Sequence, residues 1–116
     1  MAEDWARPVV HWEIQARDPE ALRAFYAEMF NWQIGDGPIM LIPAGIGAPE
    51  MISGHIMRGD APRVVLYVQV RDLGESIDRA KALGGAQTAE PFDVPGGPTI
   101  AGIADPEGNR IVLVQQ

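Results

Sequence analysis

Residues 10–18 read VHWEIQARD and residues 64–72 read VVLYVQVRD. At a constant offset of 54 positions, Val10 meets Val64, Gln15 meets Gln69, Arg17 meets Arg71 and Asp18 meets Asp72. The apolar positions correspond as well: Trp12 with Leu66, Ile14 with Val68, Ala16 with Val70. The other parity is rewritten, with His11 falling on Val65 and Glu13 on Tyr67. Successive strand residues point to opposite faces, so one face of a strand is kept while the other changes its chemistry.

The residues beyond each copy extend the correspondence. Asp18-Pro19 reads as a helix start, the aspartate capping and the proline sitting where its missing N–H costs nothing. Leu22, Phe25, Tyr26, Met29 and Phe30 then fall at the spacing of a helix stripe packed on a sheet, and the helix should end near Asn31. In the second copy Asp72 and Glu75 have capping-box spacing, Ile77, Ala80 and Leu83 supply the stripe, and Gly84-Gly85 stops it. Three short strand-like pieces come after each helix: WQI (32–34), IMLIPA (39–44) and ISGHIM (52–57) in the first half, TAEPFDV, PTIAGIA and RIVLVQ in the second. GDGP, GIGAPE, PGGP and DPEGN are the turns between them, and RGDAP (58–62) is the linker between halves. The predicted class is α+β: one domain over 1–116, with module one at about 8–58 and module two at about 62–116. Both helices lie on one side of a sheet whose other face curls around a hollow.

The chain has 116 residues, 47% hydrophobic and 22% charged, with no cysteine. That suits a single globular domain and excludes disulfides, thiolate metal sites and a cysteine nucleophile. Sixteen acidic against nine basic residues give a net charge of −7, which repels phosphate backbones, so nucleic acid is not an expected partner. No apolar run approaches the roughly 20 residues of a membrane span, and MAEDWARP lacks the apolar region of a signal peptide. A cytoplasmic location without membrane contact is expected.

The chain resembles the vicinal oxygen chelate superfamily of glyoxalase I, extradiol dioxygenases, methylmalonyl-CoA epimerase and bleomycin-resistance proteins. The resemblance spans about residues 8 to 116 and rests on HWEIQARDPEALRAFY, on VVLYVQVRDLGESIDRAKALGG and most specifically on ADPEGNRIVLVQ. It implies paired βαβββ modules, a cupped mixed sheet holding a cavity, and a homodimer. Metal-using members take ligands from the first and last strands of the modules. By that resemblance His11 stands at a first-strand ligand position, whereas the matching second-module position is Val65. Relatives that read DPxGNxIEL use the glutamate as a ligand, and here that position is Val112. Valine has no donor atom, so no cofactor is expected and a divalent metal is disfavoured.

His11, Glu13 and His55 together would still make a chemically sensible metal set, or a metal-free acid–base pair of His11 and Glu13. Glu13 facing an apolar hollow should have its pKa raised by desolvation. Gln15, His55, Met57, Tyr67, Gln69 and Val112 complete the candidate ligand-binding residues; Tyr67 offers a ring for stacking, and Gln69 a donor and an acceptor. Met40, Met51 and Met57 suit either an irregular apolar ligand or gaps in a core. Trp12 is expected in the core, Trp32 at core or cavity rim, and Trp5 against a partner subunit. DPEGN reads as a structural turn. The two serines, Ser53 and Ser76, carry no triad signature, so no serine nucleophile is expected. Two functional readings result: a metal-independent protein that binds a small apolar or aromatic molecule, or a glyoxalase- or dioxygenase-like enzyme working through His11. A vestigial cavity in a regulatory domain is a third.

Overall fold

The computed structural model describes residues 6–44 and 52–116. Trp5, Met51 and the GIGAPE turn lie outside the described residues. The element order is β1 (Val9–Ala16), α1 (Pro19–Phe30), β2 (Ile39–Ile42), β3 (Gly54–Arg58), β4 (Arg63–Val70), α2 (Leu73–Ala82), β5 (Ala86–Asp93), β6 (Thr99–Ala104) and β7 (Arg110–Gln115). The class is α+β with mixed strand pairing. The chain divides into two compact units, one of His11–Val65 and one of Met1–Val10 with Leu66–Gln116.

In the first unit β3 lies between β1, which it pairs in parallel, and β2, which it pairs antiparallel. Asp18 caps α1 by accepting from the Ala21 N–H at 3.2 Å, and Asn31 ends it in the left-handed conformation, at φ 59°. Ala16, Ile34, Met40, Ile42 and Ile56 are buried together, with Trp12, Ile14, Leu22, Tyr26 and Trp32 packed against them. Met40 is therefore a core residue. The expected strand at 32–34 does not form. Arg23 donates from Nε and Nη2 to the Ile34 carbonyl and from Nε to that of Gly35, while the Gly35 N–H goes to the Leu41 carbonyl. A guanidinium from α1 thus takes the acceptors that a neighbouring strand would have used.

The α1 stripe is also narrower than its spacing predicts. Leu22 and Tyr26 reach the core, but Phe25, Met29 and Phe30 are 56%, 63% and 50% exposed. Trp32 folds back over the end of the helix instead, with its ring centroid 5.5 Å from Tyr26 and 5.2 Å from Phe30.

In the second unit the order is β4-β7-β6-β5, with β4 and β7 parallel and the rest antiparallel. Val70, Leu73, Ile77, Ala101 and Leu113 form its core. Asp72 caps α2 by accepting from the Glu75 N–H at 2.9 Å. Leu66 and Leu83 stay exposed. DPEGN is a closed turn: Asp105 accepts from the backbone N–H groups of Glu107 and Asn109 and from the Asn109 side chain. Those bonds, first the one from the Asn109 side chain, hold its carboxyl below the usual range. Gly108 alone in the turn takes positive φ, 92°.

Candidate functional site

The parity of β3 fixes the chemistry of the first unit. Glu13 stands opposite His55 in the parallel ladder and Trp12 opposite Gly54. His55 and Glu13 therefore share a face, and Gly54 and Ile56 share the core face with Trp12. Gly54 is required there: a Cβ would lie 2.3 Å from the Trp12 indole. Glu13 and His55 are buried, 4% and 6% exposed, and His11 is half-buried.

These side chains are joined in one line. Ser53 Oγ lies 2.8 Å from His11 Nδ1, His11 Nε2 lies 2.8 Å from His55 Nδ1, and His55 Nε2 lies 3.1 Å from Glu13 Oε1. Gln15 Nε2 is 2.5 Å from Glu13 Oε2, and Arg63 Nη1 is 2.7 Å from Gln15 Oε1 and 2.9 Å from Asp60 Oδ1.

Only the bonds nearest Arg63 have a fixed direction. A guanidinium can only donate, so Gln15 presents its oxygen to Arg63 and its amide hydrogens to Glu13. An ionised Glu13 accepts from Gln15 on one oxygen and from His55 Nε2–H on the other. In that placement His55 accepts at Nδ1 and His11 carries its hydrogen on Nε2. Neutral His11 in turn accepts at Nδ1, and Ser53 donates its hydroxyl hydrogen. A protonated Glu13 reverses the order from Glu13 to Ser53, so two proton placements satisfy the chain. Burial, then the neighbouring His55, lower the His11 pKa from its ordinary value of 6.5, against a smaller raising effect of Glu13. The neutral imidazole is thus the favoured form at neutral pH.

The Ser53 end opens on a hollow of about 1010 Å³ within the same unit, whose lining includes Ser53, Trp32, Ile34, Leu41, Pro43 and Arg23. Trp32 serves both core and rim. A recess of about 550 Å³ is lined by Trp32 together with Trp12, Ile14, Tyr26 and Ile52.

The residues present do not fit a metal. His11, His55 and Glu13 are brought together, yet as links of a hydrogen-bonded chain. Among the described residues no three His, Asp or Glu side chains converge on a point that could hold an ion. Val65 is buried and brings no donor.

Of the other sequence candidates, Gln15 belongs to the chain, and Met57 stands beside it in the ladder. Tyr67, Gln69 and Val112 belong to the second unit, where Tyr67 faces Val112 across β4 and β7 and the Gln69 N–H donates to the Pro8 carbonyl at 3.0 Å. Sequence reasoning passed over Ser53 and Arg63. The signal for Ser53 was the shared period of two in S-x-H at 53–55 and H-x-E at 11–13, which places all four polar groups on one face once the strands are paired.

Comparison with known proteins agrees with this architecture. The model of a family described as a glyoxalase-like domain matches residues 11–114. A glyoxalase/bleomycin resistance protein/dioxygenase superfamily member from Vibrio splendidus 12B01 is similar in fold at TM-score 0.64 and 13% identity, over 95% of this chain and 98% of that one. Methylmalonyl-CoA epimerase from Mycobacterium tuberculosis is similar at 0.59 and 18%, over 92% and 86%. The Mn(II)-bound glyoxalase from Novosphingobium aromaticivorans is similar at 0.58 and 18%, over 95% of this chain but 40% of that one. No curated protein matches the chain.

Proposed function

The chain belongs to the glyoxalase-like domain family, and on that footing we propose that it binds a small apolar or aromatic molecule without a metal. One observation carries this reading: the nitrogens and oxygens that would have to face an ion are engaged with one another from Ser53 to Arg63. The adjoining hollow is lined by Trp32, Ile34, Leu41, Ile42 and Pro43, with Glu20, Arg23, Gln33 and Ser53 as its polar groups, and the apolar part of this lining supports an apolar occupant.

The test has two parts. Elemental analysis of tag-free protein purified without chelators should find no stoichiometric transition metal, and zinc, nickel, manganese and iron should leave the melting temperature unchanged. Titration with small aromatic carboxylic esters and amides should then change Trp32 fluorescence saturably. A stoichiometric metal overturns the reading, as does a lack of any saturable response.

A second reading is favoured by one further feature, the neutral, partly buried His11 imidazole backed by a carboxylate. Such a group can take a proton from a bound molecule, which would make the protein an acid–base enzyme of this family. On that reading His11→Ala and Glu13→Gln each reduce turnover by roughly 10²–10⁴-fold; on the binding reading both keep ligand affinity.

A further inference from the structure

We propose that Ser53 is a nucleophile and that this unit transfers or hydrolyses the acyl group of a small ester with an apolar or aromatic acyl portion. The proposal rests on the hollow as the place where the molecule binds, and goes beyond that reading in assigning a covalent step. Four observations converge on it. Ser53 Oγ is 2.8 Å from a ring nitrogen of His11, the reach at which a base accepts a hydroxyl proton. With Glu13 ionised and both imidazoles neutral, that nitrogen is the acceptor and Ser53 the donor. Behind His11 stand a second imidazole and a buried carboxylate, so positive charge arising on His11 is met by Glu13 through His55. Finally, Ser53 lines the open hollow.

The chemistry balances without a further reagent except water. Ser53 Oγ attacks the ester carbonyl carbon while its proton passes to His11 Nδ1. The tetrahedral oxyanion collapses, the bond to the alkoxide breaks, and the alkoxide leaves with the proton from His11. Water then attacks the acyl-Ser53 carbonyl, loses a proton to His11, and that proton returns to Ser53 as the carboxylic acid departs. His11 acts on the reacting oxygen; His55 and Glu13 are positioning residues that orient it and stabilise its charged form.

The experiment uses the full chain. An alkyl fluorophosphonate, whose phosphorus takes the serine oxygen as fluoride leaves, should add once, and peptide mass mapping should place the adduct on Ser53. Ser53→Ala should abolish the adduct. Glu13→Gln should slow labelling at least tenfold and lower kcat on p-nitrophenyl benzoate with KM little changed, a split that general loosening of the fold does not produce. Should Ser53→Ala fail to fold, mapping on the wild-type chain still decides. An adduct elsewhere, or none while aromatic ligands still perturb Trp32, overturns the nucleophile and leaves the binding reading standing. An adduct on Ser53 without any reversible binder does the reverse.

Discussion

At the scale of the residue, His11 has a consequence for stability that can be signed. Its folded pKa lies below its ordinary 6.5, chiefly through burial, so the unfolded chain binds the proton more tightly. Stability is therefore complete above about pH 6.5 and declines as the pH falls from there through the lowered folded value. Urea midpoints measured from pH 8 down to pH 5 should drop across that window, and His11→Gln should flatten the drop. A wild-type profile that is flat, or rises towards acid, would mean that His11 is not held neutral. Glu13 contributes through contacts, since its buried carboxylate is hydrogen-bonded to His55 and accepts from Gln15. Glu13→Ala leaves those partners facing a cavity and should cost about 3–5 kcal/mol by urea titration, whereas Glu13→Gln keeps the volume and should cost less.

Among the elements, the closest fit in the first unit is Trp12 against Gly54, where β1 and β3 pair with no room for a side chain. Gly54→Ala must push the indole out of a core that also holds Ile42 and Ile56, and should cost about 1–3 kcal/mol. Urea unfolding checks it; a neutral substitution would mean the two strands are not in this register. Trp12 and the alternation of β1 were legible in the sequence, as were both aspartate caps, because each depends on neighbours a few positions away. The extended segment at 32–34 was misread because what decides it is not local. Its apolar residues look like a strand, but the acceptors of Ile34 and Gly35 are claimed by Arg23, eleven and twelve positions back. The same holds for Phe25, Met29 and Phe30: periodicity states that they share a helix face, and the length of the sheet beneath decides how many of them it covers.

For the whole molecule, the repeat separates two kinds of information. Asp18 and Asp72 recur because each unit caps its helix at the same point after the strand. His11 and Glu13 have no counterpart in Val65 and Tyr67, and the polar chain from Ser53 to Arg63 accordingly lies in one unit alone. The two histidines and Glu13 could be picked from the sequence as candidates; their linear order could not, since it required the register of β1 on β3. Charge and apolar exposure act in opposite directions on association. Each chain carries a net charge of −7, so two copies repel at low ionic strength, while the exposed Phe25, Met29 and Phe30 favour contact once that repulsion is screened. We expect a homodimer whose dissociation constant falls as salt rises from about 10 mM to about 300 mM, where the Debye length shrinks from about 30 Å to less than 10 Å. Sedimentation equilibrium at several protein concentrations measures it directly. A dimer weakened by salt would assign the contact to complementary charges, and a monomer at every salt and concentration would remove the homodimer altogether.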